Sequence, residues 1–434
     1  MRRVATISLL MLTLSIPGHA QQSADPAPAY IDPANGLTVE DAIARALAQE
    51  PSLRASRSQI DVTRSRRQQA GLRPNPAVSF SQQEQPSGSD NQTRVELQWP
   101  LDLFRKTGRV EVAGREVDVA RHAAADRERT LAAGVRMKYG DVVAAVRTLE
   151  VTEQLLAATS RQRTLIASRV EQGAAPPLDR DMLRVEGRRL EADRLIQIGA
   201  VDRELIELKR LLGMPPDASV MLRDSLEALV RRDPPPIPAG AEGGAKRPDV
   251  DEAEARVRVG DAEIDRARRE GRLDVSVFGA YMRMDTGFPQ LGLSPAGAFE
   301  PVRSVFHYVS VGAMVTLPFE NRNQGAVAAA EAERAGAAAH LEAARLAAQS
   351  EIAAARSRDR HARQALEAYT GDTIALARQN LDVVRQTYEL GRGTLLDVLN
   401  EQRRYLDVER AYTDVLREAY AARQVLRASL GEVR

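Results

Sequence analysis

Between Phe104 and Gln172 the apolar side chains recur at threes, fours and sevens: Val117, Ala120, Ala124, Leu131, Val135, Tyr139, Val142, Val146, Leu149 and Leu156, with no proline among them. That period is the seam of a coiled coil, and at 1.5 Å per residue a helix over this stretch is on the order of 100 Å long. Residues 324–390 form a second proline-free stretch, predicted to be helical in the same way. Each is followed by a shorter helical pattern, residues 178–212 and 395–430, and in the second Val398, Tyr405, Tyr412, Ala419 and Leu426 stand seven apart. Glycine marks the turn between the long and short partners, joined in the first by Ala174-Ala175-Pro176-Pro177. Each pair therefore reads as a long antiparallel helical hairpin.

A different texture precedes each hairpin. Residues 77–81 and 94–99 alternate, with Val95, Leu97 and Trp99 on one face and Arg94, Glu96 and Gln98 on the other. Residues 273–284 set Leu273, Val275, Val277 and Tyr281 against Asp274 and Ser276, and residues 305–317 set Val305, Val309, Val311, Ala313 and Val315 on one side. A period of two is that of half-covered strands, so two strand hairpins are predicted. Their turns are residues 86–92 and a longer loop containing glycine and proline, residues 285–303.

The plan is written twice. Pro100 corresponds to Pro318, Gly173 to Gly391, Leu178-Asp179 to Leu396-Asp397 and Leu212-Gly213 to Leu430-Gly431, at a constant offset of 218 residues. Such self-similarity marks a duplicated unit. The first copy is assigned to residues 37–213, with a strand hairpin at about 77–99 and a helical hairpin at about 104–212. The second covers 248–434, with corresponding hairpins at about 273–317 and 322–431. Residues 214–247, which include Pro234-Pro235-Pro236, form an equatorial linker.

Residues 1–20 join Met1-Arg2-Arg3 to a short apolar run and end in Pro17-Gly18-His19-Ala20. This is the layout of a secretory signal peptide, followed by a proline- and alanine-rich extended leader at 21–36. Later in the chain no stretch has the roughly 20 uncharged apolar residues of a membrane-spanning helix. With 61 Lys+Arg against 60 Asp+Glu, spread evenly, there is no basic stripe for nucleic acid. The absence of cysteine excludes disulfides and thiolate metal sites. His122, His340 and His361 lie among charged helical residues and His307 in a strand, with no pair at the spacing of a helical zinc site, so no metal or cofactor is expected. No nucleophile and base cluster argues for an enzyme.

Strands of about 8 to 12 residues with one apolar face suit a transmembrane β-barrel. Four strands cannot close one, and open edges are not tolerated in hydrocarbon, so several chains must contribute. Three copies would supply about twelve strands and leave a lumen. The alternative is an exported coiled-coil structural or adaptor protein whose alternating segments are ordinary soluble strands.

The duplicated plan, the export signal and the segment Tyr388-Glu-Leu-Gly391-Arg-Gly-Thr-Leu-Leu-Asp397-Val-Leu-Asn400 resemble the outer-membrane efflux (TolC) family. The resemblance runs from Leu37-Thr38-Val39-Glu40-Asp41-Ala42 to Leu430-Gly431. It implies an α+β, mainly α chain that forms a homotrimer, with a twelve-stranded outer-membrane barrel continuous with a periplasmic helical barrel. Implied partners are a periplasmic adaptor (membrane fusion protein), an inner-membrane pump and outer-membrane lipid, or else a type I secretion transporter. By position, the resemblance makes Gly173, Gly391, Leu178 and Leu396 the adaptor-facing tip, and Asp397 and Asp179 the pore-aperture carboxylates. Val95, Leu97, Trp99, Val275, Val277, Val309 and Val311 would face the membrane. Asn400 departs from the family pattern, which has a second aspartate there, and the residues themselves offer Asp179 and Asp397 a helix-capping role as well. Gly71-Leu72-Arg73-Pro74-Asn75-Pro76 resembles the helix-to-strand turn of the heavy-metal cation efflux branch, and its prolines break the helix and force an extended entry into the strand. Heavy-metal cations or drugs are the expected cargo, with secreted polypeptides the alternative.

Overall fold

The computed structural model describes residues 30–86, 90–232, 247–370 and 372–432. The signal peptide, the leader up to residue 29 and most of the proline cluster at 233–246 lie outside these described residues. In chain order the elements are α1 Val39–Gln49, α2 Pro51–Ala70, β1 Ala77–Glu84, β2 Asn91–Pro100, α3 Arg105–Glu171, α4 Pro177–Leu211 and α5 Leu226–Arg231. There follow α6 Pro248–Glu270, β3 Asp274–Leu293, β4 Phe299–Thr316, α7 Gln324–Thr370, α8 Thr373–Glu389 and α9 Leu395–Ser429.

Local chemistry fixes the helix ends. Thr38 and Asp41 form a reciprocal capping box at the start of α1, and Pro51 and Pro248 occupy the first turn of α2 and α6, where no backbone N–H is needed. α3 has 67 residues and buries Val117, Ala120, Ala124, Leu131, Val135, Tyr139, Val142, Val146 and Leu149 along one stripe. Nearer its far end the stripe moves to Thr152, Leu155 and Thr159, and Leu156 is only partly covered. α4 and α9 are both 35 residues long, the equality that a duplication preserves.

The largest core lies at mid-height. There Val135, Tyr139 and Val142 of α3 pack with Ala42 and Ile43 of α1, Leu205 and Leu208 of α4, Leu226 of α5 and Tyr420 of α9. Ile31 and Leu37 form parallel bridges with Leu222, which ties the end of the leader to the linker between the copies. The Tyr139 hydroxyl, in this core, donates to the Leu37 carbonyl at 2.8 Å. Smaller clusters then run along the helical hairpins, around Leu190 and Leu406, and around Ile166, Leu183, Leu395 and Val398.

Two elements differ from the expectation. The loop at 285–303 is mostly strand, because β3 continues to Leu293 and β4 begins at Phe299, with a register shift only between Gly287 and Leu291. Pro289 falls inside that shift and Pro301 on the outermost strand of the sheet, the two places a strand accepts proline. The helix expected over 324–390 is divided, α7 ending at Thr370 and α8 starting at Thr373. Gly371 and Asp372, both weak helix formers, stand between the two in the sequence, and the hydroxyls of Thr370 and Thr373 on either side donate to the carbonyls of Leu366 and Ala368.

Candidate functional site

The sheet has the order β1-β2-β3-β4, antiparallel throughout. Its register aligns Phe80, Val95, Tyr281 and Val309 in one row, Val78, Leu97, Gly279 and Val311 in the next, and Trp99, Val277 and Ala313 in a third. Val275 pairs with Val315 below them. Because side chains alternate across a pleat, all of these point to one face. That face is uncovered in the single chain: Val309 is 81% exposed and Val311 83%, and Val95, Leu97 and Trp99 are also exposed, with Val275 and Val277 half-buried. The opposite face carries Ser79, Ser81, Arg94, Glu96, Gln98, Ser276 and Ser310 in the intervening rows, mixed with Phe278, Met282 and Met314. Neither β1 nor β4 has a strand on its outer side among the described residues.

At the other end of the molecule the α3–α4 and α8–α9 turns lie together. In both, the glycine adopts φ +73°, Gly173 and Gly391 alike, a left-handed conformation that glycine takes without steric cost. The backbone bonds repeat too: Gly173 and Ala174 donate to Val170 and Arg169, and Gly391 and Arg392 to Tyr388 and Thr387. A side chain at either glycine would meet nothing within 4 Å. Leu178 and Leu396 project from the following helices and are exposed. Beneath them Ile166, Leu183, Leu395 and Val398 hold the two hairpins side by side.

The two aspartates, equivalent in sequence, are not equivalent in structure. Asp397 closes a capping box with Thr394, whose hydroxyl lies 2.6 Å from the carboxylate and whose backbone N–H donates to it at 3.1 Å. These bonds hold the Asp397 carboxyl below the usual carboxylate range, the hydroxyl contributing most. The first copy has Pro176 where the second has Thr394, and proline offers no side-chain cap. Asp179 instead accepts a hydrogen bond of 2.8 Å from the Tyr388 hydroxyl, which crosses from one hairpin to the other. Burial, reinforced by Asp179, pushes the Tyr388 phenol up to about 12. Sequence reasoning passed over Tyr388 as part of the tip segment. The available signal was that Val170 stands at the same place in the first copy, so a phenol replaces an apolar side chain there.

Between α2, α3, α6 and α7 runs a groove lined by Glu116, Glu252, Glu263 and Glu333, with Arg66, Arg256 and His340. The Glu263 carboxyl is pushed up, first by burial and then by Glu116, Glu270 and Glu333, against the opposing effect of Arg266. His122 and His361 stand elsewhere on α3 and α7 and His307 on β4. Among the described residues no group of three or more His, Asp or Glu could hold a metal ion, and no helix is long and apolar enough to cross a membrane.

Residues 42–213 and 244–432 match the outer membrane efflux protein family. The chain is 21% identical over 407 residues to the cobalt-zinc-cadmium resistance protein CzcC of Cupriavidus metallidurans, a match covering 92% of this chain and 91% of that protein. Among solved structures it is similar to CusC, with a TM-score of 0.74 at 18% identity over 93% of each chain. It is similar also to the MtrE outer membrane channel of Neisseria gonorrhoeae, with a TM-score of 0.71 at 19% identity, covering 91% of this chain and 88% of that one.

Proposed function

The chain belongs to the outer membrane efflux protein family, and on that premise we propose that three copies close a duct which receives divalent metal cations from an inner-membrane pump and a periplasmic adaptor and releases them outside the cell. One observation carries this reading. A four-stranded sheet whose apolar face is uncovered and whose two edges are unpaired among the described residues has no stable home in lipid as a single chain, because each unpaired backbone group in hydrocarbon costs several kcal/mol. Edge-to-edge joining of β4 of one copy to β1 of the next satisfies both edges, and three copies give the smallest barrel with a lumen.

The remaining assignments follow from position. The strands lie in the outer membrane, and the helices, which leave the opposite end of the sheet from the strand turns, extend into the periplasm. The exposed Leu178 and Leu396 beside the open glycine turns form the surface offered to the adaptor. Asp179 and Asp397 stand in the first turn of the returning helices, where the tips of three copies would converge on the axis. Cation cargo is favoured by the similarity to CzcC.

The experiment is deletion and complementation in the native cell. Loss of the chain should raise retained cobalt, zinc or cadmium and lower resistance to the same ions, with both restored by the wild-type chain. The protein should be recovered from outer membranes as a heat-modifiable trimer. Recovery of a soluble periplasmic monomer would overturn the duct, and unchanged metal retention would overturn the cargo.

A further inference from the structure

Beyond the apolar rows the same face of the sheet changes chemistry. The register places Gln82, Thr93, Arg283 and His307 in one line across all four strands, the row next to Phe80, Val95, Tyr281 and Val309 on the side of the strand turns. From Val275 to Arg283 is eight residues, about 26 Å along a strand and roughly 20 Å of depth at the usual barrel tilt. An outward apolar band about 25 Å tall that begins just below Val275 therefore ends at this row. We infer that Arg283 and His307 form a binding site for the phosphate of a lipid headgroup in the outer leaflet. The inference rests on the reading that these strands span the outer membrane.

The side chains are arranged for an anion. Arg283 and His307 are both exposed and are direct partners across β3 and β4, roughly 5 Å apart at their α-carbons. Arg283 has no hydrogen bond or ion pair with the other described residues, so its planar fork of donors is open to a phosphate. The Tyr281 hydroxyl lies 2.7 Å from Nδ1 of His307 and the two rings stack. With the phenol donating to Nδ1, the imidazole carries its proton on Nε2, a donor pointing away from the tyrosine. Thr93 adds a hydroxyl on the other side of Arg283. The carboxylates of Glu84 and Asp285 stand one row farther from the apolar band, in line with Asn91 and a single apolar side chain, Val305, about 7 Å along the strands, and Glu84 is engaged by the Gln82 amide. An anion is thus accepted at one depth, the boundary between hydrocarbon and headgroup, where the phosphates of lipids lie.

The full chain, reconstituted in phosphatidylcholine nanodiscs doped with bisphosphorylated lipid A or with the same lipid stripped of phosphate, tests this by native mass spectrometry of the retained lipid. The wild type should retain the phosphorylated form preferentially. Arg283→Gln should reduce that preference about fivefold, the equivalent of the ~1 kcal/mol that a basic side chain contributes at a lipid surface. Arg283→Gln/His307→Gln should abolish it, and Arg94→Gln, on the opposite face, should leave it unchanged. Equal retention of the two lipids by the wild type, or a preference that survives the double substitution, would overturn the site while leaving the membrane barrel intact. Failure of the wild type to enter the discs would instead overturn the barrel and the site with it.

Discussion

At the scale of single residues, the tip shows how one substitution between copies redirects a neighbour. With Thr394 three residues before it, Asp397 is occupied in a capping box; with Pro176 in that place, Asp179 is available to Tyr388. Tyr388→Phe keeps the ring and removes only the tie, so it should cost about 1.5–3 kcal/mol, the range of a hydrogen bond to a charged group. Faster proteolysis at both tip turns, with the mid-height core unchanged, is the expected signature. The raised Tyr388 phenol also sets a pH dependence. Between its ordinary value of 10 and about 12 the folded chain holds a proton that the unfolded chain has released, so stability is full below pH 10 and falls as pH rises through about 12. Tyr30, raised to about 12 by burial and Asp202, adds in the same direction. Tyr388→Phe should therefore flatten part of the alkaline limb in a pH series of thermal unfolding. Asp397 works at the opposite end: its lowered carboxyl contributes above the ordinary value of 3.8 and the contribution is lost as pH falls below it. Thr394→Ala should raise the Asp397 titration midpoint in a carboxyl NMR experiment and shorten the first turn of α9.

At the scale of elements, a buried ion network fastens the belt. Arg147 on α3 donates to Glu227 of α5 at 2.6 Å and to Glu409 of α9 at 3.0 Å, and its guanidinium stands over the Tyr412 ring. Tyr405 donates to the other oxygen of Glu409 at 2.8 Å. Removing one member of such a set leaves a buried charge without its partner, so Arg147→Ala should cost about 3 kcal/mol or more. Arg147→Met with Glu409→Gln should recover much of the loss, because the buried carboxylate of the pair is gone and Glu227, the other carboxylate that loses its partner, is partly open to water. Chemical denaturation of the single and double variants measures the difference.

The sequence made some of these elements legible and left others hidden, for physical reasons. The seam of α3 and the alternation of β2 were readable because each element turns one face to a different medium, which imposes a period on its residues. The outer half of the β3–β4 hairpin was not, because its glycines and prolines sit at a register shift and on an edge strand, where breakers cause no break. The interruption between α7 and α8 has no proline to announce it; Gly371-Asp372 stands there in the sequence, but one glycine inside a helical pattern is a weak signal of a break. Arg147 was invisible for another reason: in a chain with 61 basic and 60 acidic residues, spacing alone does not distinguish the buried pair from the many exposed ones. The tip glycines were found from the duplication, whereas the Tyr388–Asp179 contact joins one copy to the other and no periodicity within a copy encodes it.

At the scale of the whole molecule, the two faces of one strand belong to different surroundings, and neighbouring residues report which is which. Val311 points to the uncovered apolar face and Ser310, one residue earlier, to the other. If three sheets close into a barrel in the outer membrane, arginine at the first position must sit in hydrocarbon, at a cost of about 2–4 kcal/mol near the midplane in each copy. At the second position the same arginine enters the lumen, where water solvates it and no such cost arises. Val311→Arg should thus depress the yield of heat-modifiable outer-membrane trimer sharply, and Ser310→Arg should leave assembly near the wild-type level while changing ion passage. In a soluble sandwich the sensitivity would be reversed or absent: a valine already 83% exposed to water tolerates arginine well. The comparison uses one amino acid, one strand and adjacent positions, so differences in propensity or helix packing cannot produce it. Only the identity of the medium on each side of the sheet can.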